Sequence, residues 1–146
     1  MLLDRNAGGQ RMKYLILFLT CCKLMAADHT VALTILAEAR GEGLRGMAAV
    51  ACVISQRAKE RGITPKEVCL QRKQFSCWNS GKDLSYLLDT PQAEHALYFE
   101  KHIDKMKQEV TGGANHYHAL HVRPYWADKS KKTKIIGNHA FYKLEN

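Results

Sequence analysis

At 146 residues the chain has room for one domain of ordinary size. A hydrophobic share of 46% with 25% charged residues excludes a disordered chain and is enough to build a core. The formal charge of +8 favours polyanionic partners (nucleic acid, anionic lipid or anionic wall polymers) without choosing among them, and residues 28–146 alone keep +5 from 18 Lys/Arg against 13 Asp/Glu.

At the N-terminus, Met12-Lys13 precedes an apolar run from Tyr14 to Cys22, then Lys23 and the small pair Ala26-Ala27. A positive start, a short apolar stretch and small residues at its end predict an export signal, with an uncleaved membrane tether as the rival. The run is shorter than the roughly 20 residues that span a bilayer. Residues 1–11 read as an upstream extension, residues 1–27 as extension plus signal or tether, and 28–146 as the folded domain. Export implies the periplasm, cell envelope or extracellular space, where a disulfide can form. Cys69 and Cys77 flank a short polar loop and are the natural pair, leaving Cys52 as a buried thiol; three free thiols are the alternative.

Along residues 28–39, Val31, Ala32, Ile35, Leu36 and Ala39 recur at helical spacing, with Asp28 or Thr30 as the N-cap. Glu38 falls at the edge of that stripe, and Arg40-Gly41-Glu42-Gly43 breaks the helix. A second helix over 44–61 is apolar nearly all round, as a central buried helix should be, and Gly62 ends it. Thr64-Pro65-Lys66-Glu67 is a capping box that starts a short third helix. Residues 71–89 look polar and loop-like around Phe75 and Trp78. Thr90-Pro91 opens a fourth helix that buries Ala93, Ala96, Leu97 and Phe99. After the turn at Thr111-Gly112-Gly113, residues 115–122 and 135–142 read as extended, joined by the basic loop Lys129–Lys132. The fold class is α+β, mainly helical, in one domain with a small C-terminal sheet.

Glu38 is the sharpest chemical candidate. Apolar surroundings disfavour the ionised form of a carboxyl, and a protonated carboxylic acid is what glycosidic cleavage needs. Many surface helices end in Glu beside Arg, so spacing alone leaves the catalytic role a minority reading. Glu42, between glycines, is a possible second carboxylate or a structural loop group. Arg40 either pairs with one of these acids or covers the helix C-terminus. His116, His118 and His121 form a cluster in which the first two share a strand face and Tyr117 takes the other. Without an HExxH pattern or spaced cysteines, these read as cleft or hydrogen-bonding histidines before a zinc site. Cys77 with a histidine is a weaker, nucleophilic alternative. Among the aromatics, Phe75, Trp78, Tyr117, Tyr125 and Trp126 are each as apt to anchor the core as to flank a sugar. The lysine run from 129 to 134 reads as a solvated loop rather than a nucleic-acid surface.

Three segments, Ala37-Glu38-Ala39-Arg40-Gly41-Glu42, Lys73-Gln74-Phe75-Ser76-Cys77-Trp78-Asn79 and Thr111-Gly112-Gly113-Ala114-Asn115-His116-Tyr117-His118, together strongly resemble the SleB/CwlJ-like cell wall hydrolases over about residues 30–142. The resemblance implies a lysozyme-like fold related to goose-type lysozymes and lytic transglycosylases. It also implies peptidoglycan as substrate, no cofactor, and Glu38 as catalytic acid. Carried onto this chain, the substrate-binding set is Glu42, Gln74, Phe75, Trp78, His116, Tyr117 and His118, with Tyr117 steadying an oxocarbenium-like state. The chain departs from the family in having histidines where Tyr and Phe are typical, and in lacking the wall-binding domain of spore members. The expected partner is therefore peptidoglycan and not nucleic acid, with a transient membrane attachment through residues 12–27 and a monomeric state. A water-using muramidase, a non-catalytic wall-binding module and a zinc amidase are the rivals.

Overall fold

The computed structural model describes residues 27–145. The expected extension and all but the last residue of the expected signal or tether therefore lie outside the described residues. Among these residues, no helix is long and apolar enough to cross a membrane.

Helix α1 (Thr30–Ala39) and the long α2 (Gly43–Arg61) form the centre, joined by a single 3-10 turn, Arg40–Glu42. Ile35 and Leu36 of α1 and Val50, Ala51 and Ile54 of α2 are fully buried against one another. Each such aliphatic side chain contributes roughly 1.5–3 kcal/mol. The start of α1 is held by its neighbours: Asp28 accepts from the backbone and hydroxyl of Thr30, and the Glu100 carboxylate accepts from Ala32 N. Helix α3 (Pro65–Leu70) begins at the capping box, with Glu67 N donating to Thr64 Oγ1 and Thr64 N to Glu67 Oε2. Helix α4 (Ala93–Lys101) buries Ala93, Ala96 and Phe99. The stretch expected to be loop before it contains two 3-10 segments, Ser76–Trp78 and Ser85–Asp89; Leu84 and Leu87 fix the second by burial.

The sheet is antiparallel, with β1 (His116–Ala119), β2 (Lys132–Ile136) and β3 (His139–Tyr142) in the order β1-β3-β2. The second extended run, expected to be continuous over 135–142, is instead a hairpin that turns at Gly137-Asn138. The last residue of the expected basic loop, Lys132, likewise starts β2, and the other three form a 3-10 turn. The inner face of the sheet packs Phe141 and Ile136 onto Ala49 and Val53 of α2. This contact docks the sheet on the helical layer.

The expected Cys69–Cys77 bridge does not form: Cys52, Cys69 and Cys77 are all free thiols. Burial pushes Cys69 up to about 12 and Cys77 up to about 11, so both stay protonated near neutrality.

Candidate active site

Glu38 sits one residue before the end of α1, half-buried, on the flank that faces the sheet. The Tyr117 hydroxyl of β1 donates to Glu38 Oε2 at 2.8 Å. Oε1 has no hydrogen-bond partner among the described residues. One carboxylate oxygen is thus fixed and the other is free to meet a substrate. Burial, reinforced by the Glu38 carboxylate, holds the Tyr117 hydroxyl well above its ordinary value of 10. The tyrosine therefore remains a donor across the working pH range.

Two sets of contacts aim this pair. One turn below Glu38, Thr34 Oγ1 accepts from Trp78 Nε1 at 2.9 Å and donates to Thr30 O, which pins the Phe75–Asn79 segment against α1. On the sheet side, buried Asn115 fixes the start of β1. Its carbonyl accepts from Arg57 Nε at 2.6 Å, its side-chain amide donates to Glu60 and to Leu144 O, and its Oδ1 accepts from Leu144 N. Arg57 is buried in α2 with its guanidinium 5.4 Å from the centre of the Phe75 ring. Burial lowers it from its ordinary value, while the nearby Tyr117 and Glu38 pull the other way. A buried cation therefore stands behind the Tyr117–Glu38 pair.

Glu42 does not face Glu38 as a second carboxylate. Its Oε2 accepts from Asn138 N at 2.8 Å and its Oε1 from Asn138 Nδ2 at 3.3 Å, so it ties the end of the 3-10 turn to the β2–β3 turn. Two glycines make the room. A Cβ on Gly46 would strike the Glu42 side chain, and one on Gly137, at φ +55°, would strike its carboxylate. A pocket of about 420 Å³ opens beside this tie, lined by Glu42, Ala119, Leu120, His121, Asn138 and His139. His139 packs edge-on against Tyr117, with ring centres 5.3 Å apart, and connects the pocket to the Glu38 side of the sheet.

The other expected site residues are divided. Gln74 is half-buried and accepts from Arg61, whereas Phe75 is a core residue under Arg57. Trp78 braces α1. His116 and His118 lie on the outer face of β1 beside Trp126 and Tyr142, and the structure does not bring them to Glu38. His121 is exposed, and among the described residues no three His, Cys, Asp or Glu side chains are grouped to hold a metal ion. Arg40 is exposed and forms no ion pair among the described residues. Sequence reasoning missed Arg57, Asn115, Asn138 and His139. Arg57 left a signal, a charge seven residues after Val50 on the buried stripe of α2; Asn115 lay within the third family segment and Asn138 in a turn dipeptide.

Residues 41–142 match the family model described as Cell Wall Hydrolase. The chain belongs to that family, in its SleB type. Membership makes it an enzyme acting on peptidoglycan. The matched span begins three residues after Glu38 and contains Tyr117, Asn115, Arg57 and Glu42. Neither the curated proteins nor the solved structures include a match to the chain.

Proposed function

We propose that this cell wall hydrolase cuts the glycan strand between N-acetylmuramic acid and N-acetylglucosamine as a lytic transglycosylase. On this reading the domain is lysozyme-like and Glu38 is its lone acid/base. The observation that carries it is the Glu38 carboxyl, held through one oxygen by a tyrosine that stays protonated, with the other oxygen free.

In the first step Glu38 gives its proton to the glycosidic oxygen and the bond from C1 to that oxygen breaks. Positive charge grows on the muramoyl ring as Glu38 becomes a carboxylate. The Tyr117 hydrogen bond stabilises that carboxylate, since hydrogen bonds to charged groups contribute about 1.5–3 kcal/mol. In the second step Glu38 removes the proton of the muramoyl C6 hydroxyl, whose oxygen bonds to C1 and closes a 1,6-anhydro ring. Glu38 ends protonated and no water is consumed. Ordinary glycosidases share these jobs between two carboxylates. The commitment of both Glu42 oxygens to Asn138 favours the one-carboxyl route.

The test is digestion of purified sacculi by wild type and Glu38→Gln, with the products read by mass spectrometry. Wild type should release anhydro-muramoyl ends, and the variant should lose about 10²–10⁴-fold in rate, the usual contribution of one acid/base group. Undiminished cleavage by Glu38→Gln removes the site assignment. Reducing ends alone would leave the water-using muramidase. On the same reading the chain is exported by residues 12–27, or tethered through them, and works as a monomer in the envelope. Recovery of the intact chain in the cytosol after cell fractionation would defeat that part.

A further inference from the structure

The outer face of the sheet carries a cluster that the Glu38 site does not use. Trp126, from the loop after β1, folds back onto it and meets Tyr142, His116 and His118, with ring centres 5.6, 5.3 and 5.7 Å away. His118 stacks on Tyr142 at 5.2 Å, and its Nε2 lies 3.1 Å from the Tyr142 hydroxyl. Burial, helped by nearby Arg57, lowers His116 from its ordinary value, which favours a neutral ring. The cluster is therefore a packed aromatic floor of four rings.

Its rim is unlike a core. Tyr125, beside Trp126 on the turn Pro124–Ala127, is fully exposed, and Ile135, paired with Ala140 on the same face, is 55% exposed. Leu120 and Val122 on the same connection are exposed as well, so the apolar exposure here is grouped rather than single. From Leu120 to Lys134 the chain carries five cations against one carboxylate, Asp128; Lys131 is paired with Glu145 and Lys134 registers with Phe141 on the inner face and donates to Glu109 O, which leaves Arg123, Lys129 and Lys132 for the outer side. Lys132 pairs with Tyr142 across β2 and β3. Flat aromatic surface beside clustered positive charge suits a polymer of sugar rings that bears carboxylates.

We propose that this outer face is a second binding surface for the wall, separate from the Glu38 cleft, which takes the carboxylate-bearing amino-sugar strands of peptidoglycan. It rests on family membership for its choice of polymer. A glycan strand supplies apolar ring faces to Tyr125 and Trp126 and lactyl or peptide carboxylates to the lysines. The surface gives one domain the means to stay on an insoluble polymer while the opposite sheet face cuts.

The experiment is co-sedimentation of the full chain with purified sacculi, in a Glu38→Gln background so that the polymer is not consumed. Tyr125→Ala removes an exposed ring without touching the core and should weaken sacculus binding about tenfold, the effect of one lost aromatic contact. Lys129→Glu with Lys132→Glu should weaken it further and reduce its dependence on salt. With Glu38 intact, the same variants should cut short soluble glycan oligomers at the wild-type rate within about twofold. Unchanged sedimentation of both variants overturns the surface, as does a parallel loss of oligomer cleavage. Tighter binding to a single-stranded oligonucleotide than to sacculi also overturns it, in favour of nucleic acid. If the variants lose binding but the Glu38-intact chain releases no glycan fragment, the cleavage reading falls and the surface stands.

Discussion

Strand β1 presents two faces whose residues look alike in sequence and meet different surroundings. Inward, Tyr117 packs on Phe141 and His139 and reaches Glu38 across the helical layer. Outward, His116 and His118 both pack on Trp126, His118 also stacks on Tyr142, and His116 Nδ1 lies 2.9 Å from Asn115 Oδ1. The helix that faces a strand therefore decides which side chain meets Glu38. A tyrosine between two histidines becomes the partner of the acid because its parity, set by Asn115 at the strand's start, points it at α1.

Tyr117→Phe should break the comparison most. It deletes the donor to Glu38 Oε2 and keeps the ring, so kcat on sacculi should fall by roughly 10–100-fold, the equivalent of one charge-assisted hydrogen bond. Because the hydroxyl sits well above 10 in the folded chain, it is protonated throughout pH 5–9. Over that range the ratio of wild-type to variant rates should stay flat. A ratio that collapses at the alkaline end would mean that Tyr117 ionises and is not a fixed donor.

Next in size is the tie that keeps the inner face opposite α1. Gly137→Ala places a Cβ at positive φ against the Glu42 carboxylate and should cost about 1–2 kcal/mol in urea unfolding. In a Glu42→Ala background the cost should fall by about half or more, since the clash has gone and only the backbone strain remains. Strict additivity would show that the two residues do not press on each other. The smallest effect belongs to the outer face: His118→Ala should leave cleavage of short oligomers within about twofold. A loss as large as that of Tyr117→Phe would erase the distinction between the faces.

The helical layer was legible because its signals are local. The stripe ending at Glu38 and the box Thr64–Glu67 each lie within a few residues of the structure they specify. The contact from Glu38 to Tyr117 spans 79 positions, and no periodicity encodes it; only the family motifs put both residues forward. The hairpin at Gly137-Asn138 did carry a turn dipeptide, but the β-branched and aromatic residues around it read as one strand. Glu42 could be read as a second carboxylate or as a structural loop group, and the partner that shows the structural role, Asn138, is 96 positions away. The disulfide expectation followed from compartment and spacing, whereas Cys69 is a free thiol that burial keeps protonated.

Glu42 grips the β2–β3 turn with both carboxylate oxygens, so the gap between acid and sheet is set when the chain folds, before any glycan arrives. The sheet cannot swing away from Glu38 without giving up both bonds. On the proposed reading, the acid and its tyrosine are then held in register by folding alone, with no substrate contact needed to bring them together.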